Sequence, residues 1–322
     1  MVERDFVKTG IAGLDSLLGG GVPRGNVILI EGTIGTGKST LGTEFVYRGA
    51  SEFGEPGVIV LFEVSPDKLI RDAANFGWDL RRLERENLLK IVFTTRQVFR
   101  QEIQQADSLL LAEAASIGAR RIFVDGASRL SNVAGPEENR EAFHIRVEGL
   151  QREKLTAVLA VEASSIEKGA PPAQEESIAD TVLRLRMEDV ERAIQRSIEI
   201  VKSRGHDFHM GRHTFRIIDG QGIQAYRRVQ SPRGTSRDNA APLREGDRIT
   251  SGVPGFDALV NGGFYRSSTT VLAGISGVGK SVFGLHYMIE GLRQKQRSLM
   301  LTLDEQVPQV MRNGRSIGID LQ

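Results

Sequence analysis

Short apolar runs alternate along the first half of the chain with segments in which apolar residues recur every three to four positions. The runs Val27–Ile30, Val58–Phe62, Leu88–Phe93, Ile122–Asp125 and Thr156–Val161 predict strands. The intervening periodic segments predict helices near Lys38–Phe53, Pro66–Phe76, Gln101–Ile117 and Pro136–Glu153. Strands alternating with helices imply right-handed βαβ units and a largely parallel sheet, an α/β fold with helices on both faces. Four further β-rich runs, Thr181–Arg186, Ser197–Val201, His213–Ile218 and Gly222–Arg227, lack intervening helices and predict an antiparallel extension of that sheet.

The beginning of this pattern returns near the end of the chain. TGIAGLD from Thr9 to Asp15, the glycines from Gly19 and the run from Asn26 through the loop ending at Thr40 recur as TSGVPGFD from Thr250 to Asp257, Gly262-Gly263 and the run from Thr269 to Val282. FGWDL from Phe76 to Leu80 recurs as IGIDL from Ile317 to Leu321. Ordered matching of four blocks is a domain-sized duplication. It predicts a complete first domain over residues 1–227, a linker over 228–247 and the amino-terminal part of a second domain over 248–322. The linker, Arg228 to Asp247, holds Pro232, Gly234, Pro242, Gly246 and several arginines. In the second copy the pattern predicts strands Thr269–Ala273 and Ser298–Leu303 and helices Lys280–Arg293 and Val307–Ile317.

The loop between the first strand and the first long helix reads GTIGTGKS from Gly32 to Ser39, matching the phosphate-binding P-loop pattern G-x-x-x-x-G-K-[ST] in the strand-to-helix setting that the motif requires. Glycines such as Gly32, Gly35 and Gly37 let backbone N–H groups close around phosphates, with Thr36 and Thr40 completing the turn, and the helix amino terminus adds its dipole. Lys38 is expected to contact the β- and γ-phosphates of ATP, and Ser39 to ligate Mg²⁺. The same pattern stands at Gly274, Gly277, Val278, Gly279, Lys280, Ser281 and Val282, with Ser281 as the corresponding metal ligand.

Hydrolysis needs a carboxylate near the metal and a group that orients water. RIFVD, ending at Asp125, is an apolar strand closed by an acid at the edge where α/β ligands bind, and Asp125 is the expected Mg²⁺ partner. VLFE ends a neighbouring strand at Glu63, with Asp304 and Glu305 in the corresponding place of the second copy; Glu63 is the candidate water-activating base. Composition is that of a globular protein, 40% hydrophobic and 26% charged, and the net charge of +1 gives no global electrostatic case for nucleic acid. Cysteine is absent, which excludes disulfides, thiolate zinc sites and a cysteine nucleophile. Met1 to Gly10 lacks the apolar run of a signal peptide, and no segment approaches the ~20 apolar residues of a membrane span, so a cytoplasmic protein is expected.

These features resemble the KaiC family of the RecA/RadA superfamily. The residues that carry the resemblance are Thr9 to Asp15, the loop Gly32 to Ser39, Phe62-Glu63, Phe76 to Leu80, Asp125, and EIVKSRG from Glu199 to Gly205. It covers Val7 to Tyr226 and resumes at Ile249. The resemblance implies a RecA-like fold, tandem domains, a hexameric ring of identical subunits and ATP at each subunit interface. It also implies that the Lys202-Ser203-Arg204 block reaches into the neighbour's site, where Lys202 and Arg204 would touch the γ-phosphate and stabilise developing negative charge.

Three departures qualify the resemblance. Family members usually carry two adjacent glutamates where this chain has Glu63-Val64, which predicts slow hydrolysis. The Lys-x-Arg-Gly block is followed by His206 to His209 rather than a Ser/Thr-rich stretch. The second copy stops at Gln322, before any counterpart of Asp125 or Lys202, and lacks the phosphorylation region of the family, so autokinase activity is not expected. Three functions remain open: a regulatory ATPase of the signalling or timing kind, with possible protein partners; a RadA-like recombination ATPase; and a nucleotide-gated assembly protein with little hydrolysis.

Overall fold

The computed structural model describes residues 5–105, 108–127, 136–162, 174–190, 193–229 and 248–321. It forms two compact units, residues 1–230 and 231–322. The first opens with a two-residue hairpin, β1 (Phe6–Val7) and β2 (Val22–Pro23), around the short helix α1 (Leu14–Leu17). Then follow β3 (Val27–Gly32), α2 (Lys38–Glu52), β4 (Gly57–Leu61), α3 (Pro66–Ala74), α4 (Leu80–Arg85), β5 (Leu89–Phe93), α5 (Arg96–Gln104), α6 (Leu109–Ser116), β6 (Arg121–Val124), α7 (Pro136–Arg152) and β7 (Thr156–Glu162). The unit closes with α8 (Gln174–Ile178), β8 (Thr181–Val190), β9 (Ala193–Ser203), β10 (Arg212–Ile218) and β11 (Gly222–Tyr226).

Nine strands make one sheet in the order β11-β10-β9-β8-β3-β7-β6-β4-β5. From β8 to β5 the pairing is parallel; from β8 to β11 it is antiparallel. Thr181–Arg186 therefore belongs to the parallel part, paired with β3 through Ile28 opposite Thr181, and the antiparallel extension begins one strand later than the sequence pattern suggested. Helix α8 supplies the crossover that lets β8 run parallel. All six residues of β3 and all of β4 and β6 are buried, as expected for strands covered on both faces. One apolar layer packs under α1, α2, α3 and α4, the other under α5, α6 and α7.

The predicted helix Gln101–Ile117 is two helices, α5 and α6. Ser108 caps α6, its hydroxyl accepting from the Leu111 N–H at 3.1 Å. The Glu102 carboxylate accepts from Ser108 Oγ at 2.8 Å and the Leu110 N–H at 3.1 Å. These side chains satisfy amide groups at a fresh helix start, which a continuous apolar periodicity conceals. Arg121, only 1% exposed, locks β6 to the P-loop helix: its guanidinium donates to the Phe45 carbonyl at 2.8 Å and to Glu55 at 2.6 Å, and lies 4.5 Å over the Phe45 ring. At the other side of α2, Glu44 accepts from the Ile223 N–H at 2.8 Å, and burial pushes its carboxyl up to about 7.

The second unit repeats the opening of the first in detail. Hairpin β12 (Arg248–Ile249) and β13 (Phe264–Tyr265) matches β1 and β2, with α9 (Pro254–Leu259) between them, followed by α10 (Lys280–Arg293) and α11 (Val307–Ser316). Asp15 accepts from the Thr9 N–H at 2.7 Å, and Asp257 accepts from the Ser251 N–H at 2.8 Å. The predicted strands Thr269–Ala273 and Ser298–Leu303 are not strands. The first unit shows the reason. Their counterparts β3 and β4 do not pair with each other; β7 and β6 lie between them. Nothing in residues 248–321 corresponds to β6 or β7, so both segments lack ladder partners, and Val271 and Leu301 are 84% and 85% exposed. The expected linker lies outside the described residues apart from Arg228 and Val229.

Candidate active site

Parallel strands end in register at one edge of a sheet, and that edge carries the site. The order β3-β7-β6-β4 brings together Gly32, Glu162, the turn residue Asp125 after β6, and Glu63 just beyond β4. Gly35, Lys38, Ser39, Glu63, Asp125 and Glu162 line one cavity of about 330 Å³.

The loop from Gly32 to Ser39 is shaped by its glycines. Gly37 stands immediately before α2 at φ 104°, in the left-handed region. A Cβ on Gly32 would approach Thr36 Oγ1 at 2.6 Å and the Leu185 carbonyl oxygen at 2.8 Å. Thr36 is fully buried and donates to the Thr33 carbonyl at 2.8 Å, fixing the turn, while Thr40 lies in the first turn of α2. Lys38 Nζ donates to the carbonyls of Gly32 at 2.7 Å and Thr33 at 2.9 Å. Burial lowers the Lys38 pKa, opposed by the charges of Glu162 and Asp125. Burial raises the pKa of Asp125, opposed by a hydrogen bond from Ser39 and the charge of Lys38. A hydroxyl and a carboxylate held together at a helix amino terminus are the oxygen donors that Mg²⁺ prefers, and the tight glycine cradle fits a phosphate chain, so the residues present fit ATP·Mg²⁺.

Two neighbours carry no sequence motif. Glu162, opposite Gly32 in the ladder, is an acid at a strand end, the same signal that singles out Asp125. Arg96, the first residue of α5, donates through Nη2 to Glu63 Oε1 at 2.7 Å and through Nε to the Gly126 carbonyl at 3.2 Å. Val64 also borders the cavity.

Lys202, Ser203 and Arg204 stand elsewhere. Ser203 is opposite Thr181, which is opposite Ile28 at the start of β3, so the block lies at the far end of the sheet from its own P-loop. Four residue steps along the strand take Ile28 to Gly32, roughly 13 Å at ~3.3 Å per step. Lys202 Nζ donates to the carbonyls of Glu176 at 3.0 Å, Ser177 at 3.1 Å and Ala179 at 2.7 Å. Arg204 donates to Ser177 O at 2.9 Å, and the Ser203 and Thr181 hydroxyls are 2.9 Å apart. Burial, then the charge of Arg204, lowers the Lys202 pKa.

In the second unit Gly277 and Gly279 take φ values of 82° and 99°, and Lys280 Nζ donates to the carbonyls of Gly274 and Ile275, both at 2.8 Å. Ser281 Oγ donates to Glu305 Oε1 at 3.2 Å, while Val278 and Val282 are exposed.

A family model described as the KaiC ATPase matches residues 7–230 and 249–322. Among curated proteins, the chain is 32% identical over 327 residues to the circadian clock oscillator protein KaiC of a Picosynechococcus species, covering 98% of this chain and 61% of that protein. It is 33% identical over 328 residues to the circadian clock protein KaiC2 of a Synechocystis species, covering 97% and 55%. The chain thus spans about three fifths of the length of these relatives. Among solved structures, a KaiC-like protein from Pyrococcus horikoshii OT3 superimposes with a TM-score of 0.61 at 30% identity, over 70% of this chain and 100% of that one.

Proposed function

This chain belongs to the KaiC family of ATPases, and from that premise we propose that it binds ATP·Mg²⁺ at the cavity of the first unit and hydrolyses it to ADP and phosphate as a ring-forming regulatory ATPase of the cytoplasm. The observation that carries the reading is the meeting of Lys38, Ser39, Glu63 and Asp125, from three separate stretches of sequence, around one cavity at the carboxyl edge of the sheet. In this reading residues 1–227 are one ATPase domain and residues 248–322 belong to a second.

Each residue has a distinct task. The glycines and the α2 amino terminus hold the phosphates by backbone N–H groups. Lys38 leaves the loop carbonyls for the β- and γ-phosphates, and Ser39 and Asp125 hold Mg²⁺, which neutralises phosphate charge when bound. Glu63 takes a proton from the attacking water. Lys202 and Arg204 act on the γ-phosphate of the neighbouring subunit. Their position at the far end of the sheet supports this, because a cation there cannot serve its own P-loop. Gly274 to Val282 form a second nucleotide loop, with Ser281 as its metal ligand.

Val64 in the cavity wall favours a second reading: binding that drives assembly with little turnover. Nucleotide held between subunits stabilises the assembled state by mass action. Sedimentation of the chain with and without ATP·Mg²⁺, paired with phosphate release, separates the two. The proposal expects an ATP-dependent ring, hexameric in size, with slow but Glu63-dependent turnover; a ring without turnover selects the assembly reading, and a monomer at saturating ATP·Mg²⁺ ends both.

A further inference from the structure

Helix α8 has five residues, too few to be stable by itself, so its place is set by the groups that tie it down. Its last turn leaves carbonyls without helical partners, and the cations of the Lys202–Arg204 block take them. The Lys202 ammonium has three N–H groups, and the carbonyls of Glu176, Ser177 and Ala179 accept from it at 3.0, 3.1 and 2.7 Å. Arg204 donates to Ser177 O at 2.9 Å and to Ile178 O at 3.3 Å. The end of α8 is thus the seat of both cations, and where it moves they move. A neighbour's γ-phosphate exchanges carbonyl contacts for phosphate ones from a starting point that α8 sets.

Arg184 reaches α8 from the sheet. It stands opposite Glu31 in the β8–β3 ladder, and its Nε and Nη2 donate to Glu31 Oε2 at 3.2 and 3.1 Å. The same Nη2 donates to Glu176 Oε1 at 2.6 Å. Glu31 is only 4% exposed and belongs to β3, a strand buried along its whole length. Arg184 therefore joins a residue whose carbonyl holds Lys202 to a strand fixed from both faces. Its charge also lets two carboxylates share this place: burial, then the charge of Glu176, pushes the Glu31 carboxyl up, and Arg184 opposes both. Removing one member of a buried ionic group leaves the rest uncompensated. Without the guanidinium, Glu31 and Glu176 would repel each other, and because β3 is held in the sheet the displacement falls on α8. Resting on the assignment of Lys202 and Arg204 to the neighbour's γ-phosphate, we infer that Arg184 is a positioning residue for those cations: it holds α8 against β3, and α8 holds Lys202 and Arg204.

The test uses full chains in mixtures. A Lys38→Ala chain supplies only the cations, and a Lys202→Ala/Arg204→Ala chain supplies only the P-loop. Phosphate release by their mixed oligomers, verified by differential tags, is the reference. Arg184→Ala is then added to one chain at a time. In the cation-supplying chain it is expected to lower the recovered rate about 10²-fold, the cost of a misplacement of order 1 Å. In the P-loop-supplying chain it is expected to leave the recovered rate unchanged, whereas a merely structural role would lower both. Loss of a buried charge can unfold a chain, so both mixtures are repeated with Glu176→Gln, which weakens the tie to α8 and keeps the Glu31–Arg184 pair. The same one-sided loss, smaller in size, is expected. Loss confined to the P-loop-supplying chain overturns the inference and assigns Arg184 to its own Gly32 loop through Glu31. Equal loss in both chains, or none in either, also overturns it and leaves the assignment of Lys202 and Arg204 standing. No recovery in the reference mixture removes that assignment first and this inference with it.

Discussion

Replacing Lys38 with alanine is expected to weaken ATP·Mg²⁺ binding to the first unit by at least about 10²-fold, the scale at which a buried hydrogen-bonded charge is lost from a partner of opposite sign. In the structure the ammonium is turned onto the carbonyls of Gly32 and Thr33, at 2.7 and 2.9 Å. Those oxygens are neutral, and burial already works against the charge. A triphosphate supplies full negative charge at the same place, so the binding gain is the difference between a phosphate and a carbonyl partner in a partly buried setting. Lys280 makes the same contacts in the second unit, where the loop from Gly274 is largely exposed, so Lys280→Ala is expected to cost less. Calorimetric titration of the two variants gives the answer; tight binding lost from Lys280→Ala but kept in Lys38→Ala would move the principal nucleotide site to the second unit.

Glu63→Gln should leave ATP bound and lower turnover by about 10²–10⁴-fold, the usual contribution of a general base. Glutamine preserves size and can still accept from Arg96, so geometry is kept while basicity is lost. Asp125→Asn should differ in kind. Asp125 sits among Ser39, Lys38 and the Gly126 N–H, and burial is the largest influence on its ionisation. Loss of its charge should weaken Mg²⁺-dependent binding as well as turnover. Measuring kcat and nucleotide affinity for both variants across a Mg²⁺ titration separates the roles. Equal losses in affinity for both would mean that Glu63 holds the nucleotide rather than activating water.

The parallel core was legible because β3, β4 and β6 are buried on both faces and so read as unbroken apolar runs. The P-loop, Asp125 and Glu63 followed from their places at the ends of such runs. What pattern could not show was pairing. Ser298–Leu303 carries the same apolar signature as β4, yet a run becomes a strand only when a neighbour accepts its N–H and C=O groups, and that depends on strand order. The break at Ser108 was hidden for a local reason: side-chain capping by Ser108 and Glu102 interrupts a periodicity that continues across it. Glu162 carried the same strand-end signal as Asp125, whereas Arg96 had no motif to announce it. Arg96 lies far from Glu63 in sequence and meets it only because β5 and β4 are neighbours.

The Lys202–Arg204 block gives the account its most direct test, because the same chain carries both halves of the proposed composite site at opposite ends of one sheet. A Lys202→Ala/Arg204→Ala chain lacks the cations and a Lys38→Ala chain lacks the phosphate ligand, so each alone should release phosphate at a small fraction of the wild-type rate. Thermal unfolding of the first variant checks that freeing the carbonyls of Glu176, Ser177 and Ala179 has not undone the fold. The measurement is phosphate release after mixing the two inactive chains, with mixed oligomers verified by differential tags. The account predicts recovered turnover, since some interfaces then join an intact P-loop to an intact Lys202 and Arg204. Mixed oligomers that form and remain inactive would contradict it.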